Sequence, residues 1–222
     1  MLQELHLELY NTLIQKSLAA VKELQEKSNK TPADIKNIAY YYQTIKESYL
    51  ASHQYYVTLI EQATEVQTYV EGLSFCHSSV ECLVDILKYA NDMSEFVTEK
   101  YDIYREIAKT YGYSALFLSS LAEGKKEKGE WGVALDYYKD VMQVNKKAFQ
   151  AIKLIPAGGR TEEDLEDLEN CTTDIVGALE KISAILKSLP VSQVLRGNFF
   201  RPVTPQLQND HSQERLSRTF AP

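Results

Sequence analysis

The chain has 222 residues, 44% of them hydrophobic and 25% charged, with a formal net charge of -7. This is ordinary globular composition, and an isoelectric point near 5.2 excludes the overall basic footprint of a nucleic-acid binder. Glycine (9) and proline (6) are scarce, which excludes collagen-like and low-complexity chains.

The opening segment, MLQELHLELY, carries Glu4 and Glu8 and no cationic start before an apolar stretch. It does not read as a secretory signal. No run reaches the ~18 apolar residues of a membrane-spanning helix. Three cysteines, Cys76, Cys82 and Cys171, make no disulfide framework, so a reducing cytoplasm is the expected compartment. The sequons at Asn29 and Asn170 are read as chance tripeptides.

In chain order, the apolar spacing predicts helices over about 3–29, 32–71, 78–111, 113–127, 130–155 and 162–189. The first carries Leu7, Tyr10, Ile14, Ser17, Val21 and Leu24 at alternating intervals of three and four, the signature of one helical face. The second continues the pattern from Ile38 through Tyr42, Ile45, Tyr49, Ser52, Tyr56, Leu59 and Ala63 to Val66 and Val70. Ala134, Tyr137, Val141, Val144, Ala148, Ala151 and Ile155 repeat it. Leu165, Leu168, Thr172, Ile175, Leu179, Ile182, Leu186 and Leu189 close the series. No proline lies between Pro32 and Pro156, and proline is the strongest helix breaker. Thr31 before Pro32, and Thr161 three residues before Asp164, read as helix caps. Gly72, Gly112, Gly124 and Gly129 are candidate stops or kinks, and Pro156-Ala157-Gly158-Gly159 is a loop.

After Pro190 the pattern ends. Residues 191–222 read as a flexible tail on a 1–190 helical domain. The tail holds Arg196, Arg201, Arg215 and Arg218 against Asp210 and Glu214, a net +2. Residues 1–195 therefore carry -7 minus 2, or -9. Phe199, Phe200 and Phe220 are its apolar handles, either docking on the body or binding another molecule. Arg201-Pro202-Val203-Thr204-Pro205 contains P-x-x-P, a ligand pattern for proline-binding grooves. Thr204-Pro205 and Arg215-Leu216-Ser217-Arg218-Thr219 read as phosphorylation candidates.

Patterns for chemistry are absent. None of His6, His53, His77 and His211 follows a glutamate by three residues, and no His-x-x-x-His occurs, so metal-ligating helix motifs are missing. Adjacent Cys76 and His77 would project about 100° apart on a helix, which excludes a nucleophilic pair. His77 and Glu81 read instead as a surface ion pair. The glycine–lysine stretch 123–130 lacks the strand that a phosphate loop needs and reads as a helix–helix turn. The acids from Glu162 to Glu169 read as a solvated face, with an acidic groove for a basic partner as the sharper alternative. Fifteen tyrosines are unusual. Tyr42, Tyr49 and Tyr56 share one stripe and read as packing. Tyr41 and Tyr55 lie off it and are the partner-face candidates.

Leu118, Leu121-Ala122, Gly129, Ala134 and Tyr138 together resemble one tetratricopeptide helical hairpin, with a small residue where two helices touch and an aromatic four residues on. Residues 101–189 are also similar in layout to the Bro domain of endosomal-sorting adaptors. That resemblance implies a cytoplasmic adaptor recruited peripherally to endosomal membranes.

The resulting expectation is an all-α fold of long antiparallel helices in an extended bundle or short solenoid. Its expected function is a non-enzymatic adaptor or scaffold that binds helical or extended segments of other proteins. No cofactor, metal or nucleic acid is expected. The partner-binding candidates are Tyr41, Tyr55, Arg201, Pro202 and Pro205. Two alternatives stand beside it. One is a BAR-like dimeric membrane-binding bundle, which the -9 body opposes. The other is a helical enzyme with an unrecognised site.

Overall fold

A computed structural model of the chain describes residues 2–90 and 97–189, with side-chain environments from 5 to 88 and from 99 to 189. The expected tail lies outside the described residues. Six α-helices make up the rest: α1 (Leu2–Gln25), α2 (Pro32–Glu65), α3 (Tyr69–Ala90), α4 (Val97–Glu127), α5 (Trp131–Lys153) and α6 (Glu162–Ser188). A 3-10 turn, Ala157–Gly159, precedes α6. No strand occurs among the described residues, and none of the described helices is long and apolar enough to cross a membrane.

Local chemistry sets the ends. The Thr31 and Thr161 hydroxyls accept from the amides of Asp34 and Asp164 at 3.1 and 3.2 Å. The two aspartates accept in return from the threonine amides at 2.8 and 2.7 Å. Each pair satisfies two of the amides that a helix start leaves unpaired. At the far end of α4, Gly129 takes φ +73°. The Glu130 amide donates to the Lys125 carbonyl at 2.9 Å, and the Gly129 amide to the Lys126 carbonyl at 3.0 Å. This is the paired closure of a Schellman cap.

Several expected boundaries shift, and α1 stops at Gln25 rather than 29. Helix α2 stops at Glu65 rather than 71, because Gln67 takes φ +58° and the Thr68 amide closes on the Ala63 carbonyl at 3.0 Å. A glutamine occupies the left-handed position usually given to glycine. Val66 and Val70, the last members of the expected stripe, are consequently exposed. Gly72 does not stop a helix but lies in the first turn of α3. Gly112 and Gly124 lie inside α4, which runs unbroken to Glu127. The expected single helix over 78–111 is thus the end of α3 and the start of α4.

Each helix packs mainly on its neighbours in sequence. Short connections make those neighbours antiparallel. The largest core joins Val80, Leu83, Ile86 and Leu87 of α3 with Ile103, Ile107 and Tyr111 of α4 and Ala148, Ala151 and Ile152 of α5. A smaller cluster of Val21, Tyr42 and Ile45 holds α1 on α2, and Tyr49 packs against both clusters. The expected stripes of α1 and α5 face inward along their length. The hairpin of α4 and α5 meets through Ala122 and Ala134, both fully buried beside Tyr138.

Candidate protein-docking face

Helix α6 closes one end of the array, and its packing separates two apolar seams. The buried side runs through Asp164, Leu168, Cys171, Ile175, Ala178, Ile182, Ile185 and Leu189. The expected stripe mixed this seam with a second. Leu168, Ile175, Ile182 and Leu189 face the core, whereas Leu165, Thr172, Leu179 and Leu186 face outward. Successive helix residues turn by about 100°, so a one-residue offset places a side chain on another face. Val176 joins the outer seam. Leu165, Val176, Leu179 and Leu186 are 56, 48, 48 and 37% exposed. At 3.6 residues per turn they align over six turns.

The Leu165 end of this seam lies in negative charge, whereas Asp174 and Glu180 are balanced by Lys181 and Lys187 around Val176, Leu179 and Leu186. Helix α6 carries eight acids, six of them between Glu162 and Glu169, against Lys181 and Lys187. The Asp167 carboxyl is pushed above its ordinary range by burial, and by Glu163, Asp164 and Glu166 around it. Asp164 is the exception, turned inward. Its carboxylate accepts from Arg105 Nε at 2.9 Å and from a terminal guanidinium nitrogen at 2.9 Å. That same nitrogen donates to the Gly159 carbonyl at 3.0 Å. Arg105 of α4 therefore fixes the start of α6, and with it the aim of the outer seam. The guanidinium, assisted by the Thr161 amide, holds the Asp164 carboxyl below the usual range.

At the other end of α6, Lys181 Nζ pairs with Glu123 at 2.9 Å and sits 5.2 Å over the Tyr138 ring. The Tyr138 hydroxyl donates to Glu123 at 2.6 Å. That bond, with Lys181 and Lys126, holds the Glu123 carboxyl at about 2. The helix is thus pinned at both ends while its outer face is left open. At the opposite end of the array, Leu5, Leu9 and Leu13 of α1 form a second exposed row.

The expected sites divide. Tyr41 is half-buried against the α1–α2 cluster, and it is Tyr40 that is exposed beside it, their rings 5.7 Å apart. Tyr55 is half-buried with Tyr56 at 5.7 Å. The structure does not bring Tyr41 and Tyr55 to the α6 face. Arg201, Pro202 and Pro205 lie outside the described residues. His77 and Glu81 approach to 3.7 Å as the spacing implied. Burial pushes the thiols of Cys76 and Cys171 up to about 11 and that of Cys82 to about 12, far from reactive thiolates. Two lysines of the α4–α5 turn are paired, Lys125 with Glu130 and Lys126 with Glu123. Among the described residues no group of three or more His, Cys, Asp or Glu is placed to hold a metal.

One polar cluster was not legible beforehand. His53 of α2 shares a 2.8 Å hydrogen bond between Nδ1 and Ser79 Oγ of α3, and its Nε2 lies 3.5 Å from Glu106 of α4. Ser52, the one polar member of the expected α2 stripe, with His53 beside it, is the nearest signal in the sequence. The connectivity of serine, imidazole and carboxylate resembles a hydrolytic triad, but the ring nitrogens are reversed relative to one. Ser79 is 0% exposed, so no acyl group reaches its hydroxyl. The cluster ties three helices together, and the His53 hydrogen bond holds the Glu106 carboxyl below its usual range.

Comparison of the chain with protein-family models, curated proteins and solved structures returns no match.

Proposed function

We propose that the protein is a non-enzymatic helical scaffold whose outer α6 face docks a basic, amphipathic segment of another protein. The observation that carries this reading is the exposed seam of Leu165, Val176, Leu179 and Leu186 set among the α6 acids. These four side chains share one helix face, at intervals of eleven, three and seven residues, and suit a partner helix laid alongside. The carboxylates gathered around its Leu165 end select for Lys or Arg on the matching end of that partner and speed its encounter. The Bro-like layout of residues 101–189 extends the proposal to an adaptor in endosomal trafficking. The α4–α5 hairpin, closed through Ala122, Ala134 and Tyr138, supports that extension.

The test is binding of a fluorescent 18-residue lysine–leucine amphipathic peptide to the full chain, with a leucine-free lysine peptide as control. The amphipathic peptide should bind in a salt-sensitive way and lose about tenfold or more in affinity on Val176→Asp with Leu179→Asp. Both sites are exposed, so the circular dichroism should not change. Equal affinity for the variant, or equal binding of the leucine-free peptide, overturns the reading.

A further inference from the structure

We propose that the chain's own C-terminal segment, centred on Phe199 and Phe200, occupies the outer α6 seam and competes with incoming partners. The inference rests on the docking reading above and supplies its regulation. Three observations converge on this occupant. The first is chemical fit. The α6 face offers exposed leucines and valine within a helix of net -6, from eight acids and two lysines. Residues 190–222 offer three phenylalanines and a net +2, from four arginines against two acids. Apolar side chains flanked by opposite charge are what each surface lacks and the other supplies.

The second observation is reach. Helix α6 ends at Ser188 and Leu189 turns to extended backbone. Leu179 lies ten residues back along a helix that rises 1.5 Å per residue, so about 15 Å away. Phe199 lies ten residues forward, and an extended chain spans up to about 33–36 Å in that length. Phe199 and Phe200 are therefore within reach of Leu186, Leu179 and Val176, with slack for a reversal of the chain after the helix end. Arg201 then falls toward the acidic half of the helix. The third observation is tethering. A short covalent linker gives an effective concentration in the millimolar range, so even a weak contact is well populated.

The test places a benzophenone amino acid at position 199 of the full chain, irradiates it at low protein concentration and maps the adducts. Adducts on α6 between residues 172 and 186, within a single chain, are expected. Adducts confined to other helices, or only between two copies, overturn the proposal. A second measurement compares the lysine–leucine peptide on the wild type and on Phe199→Asp with Phe200→Asp. The variant should bind about tenfold more tightly, because the intramolecular competitor is removed. Equal affinity overturns the tail inference and leaves the docking function standing. Binding to neither protein, with the α6 adducts retained, sustains the tail contact and removes the docking function instead.

Discussion

Tyr111 and Tyr138 bury the same phenol in different company, and the difference decides what each contributes. The Tyr138 hydroxyl has the Glu123 carboxylate at 2.6 Å. The Tyr111 hydroxyl is buried with no hydrogen-bond partner among the described residues, and burial pushes its phenol well above the ordinary range. An unpaired buried hydroxyl costs about 1–3 kcal/mol. Tyr111→Phe keeps the ring under Lys147, 5.7 Å away, and removes only the oxygen. It should raise stability by about 1 kcal/mol in urea denaturation; a loss of that size would contradict the assignment. For Glu123 the folded carboxyl sits at about 2 against an ordinary 4.5. Its contribution is thus complete above pH 4.5 and is lost as pH falls toward 2. The side chain is still 38% exposed, so solvent screening reduces the effect. Glu123→Gln should cost about 1 kcal/mol at pH 7, and the gap to wild type should narrow steadily between pH 5 and pH 3. A gap that stays constant over that interval would show that the carboxylate's charge is not what holds Tyr138 and Lys181.

Two glycines show how an element's neighbours override its own propensity. A Cβ on Gly72 would lie 2.5 Å from the Phe117 ring, which is itself fully buried. A Cβ on Gly112 would meet nothing within 4 Å, mid-helix in α4. Gly72→Ala should therefore destabilise by about 1–3 kcal/mol through overpacking. Gly112→Ala should stabilise by about 0.5–1 kcal/mol through helix propensity. Thermal melts of both variants check the pair, and the same sign for both would refute the argument. Their roles explain what the sequence could and could not convey. Thr31 and Thr161 announce helix starts because capping is local chemistry, and the stripes of α1 and α5 are legible because their inward residues keep one regular spacing of three and four. Gly72 and Gly112 look alike in sequence, since only packing distinguishes a close approach from a tolerated gap. The break at Gln67 carries no glycine or proline to mark it. In α6, pairs such as Ile175-Val176, Ala178-Leu179 and Ile185-Leu186 put apolar groups on two faces. Periodicity alone does not say which face a neighbour covers, so the exposed seam was hidden within the expected core. Small Cys171 and charged Asp164, both inward, deepened the ambiguity.

Because each helix leans chiefly on its sequence neighbours, the molecule's stability is closer to a sum over interfaces than to one indivisible core. The central helices share the largest cluster, from Val80 to Cys171. Helix α1 holds the smaller Val21–Tyr42–Ile45 cluster with buried Ile14 and a half-buried fringe, and its outer row of Leu5, Leu9 and Leu13 stays exposed. Local opening should follow this gradient. Native-state amide exchange should show Val21 opening with a free energy at least about 1 kcal/mol below that of Ile107. Tyr49 is the joint between the two regions, since it packs against both clusters. Tyr49→Ala removes the shared ring, so the cooperativity that carries central stability outward to α1 should fall. In that variant the gap between Val21 and Ile107 should widen. If Val21 and Ile107 exchange through one common opening in the wild type, the helices form a single cooperative unit and the additive picture fails. If the gap is present but Tyr49→Ala leaves it unchanged, the coupling runs through other contacts, such as the His53–Ser79–Glu106 cluster that links α2 to α3 and α4.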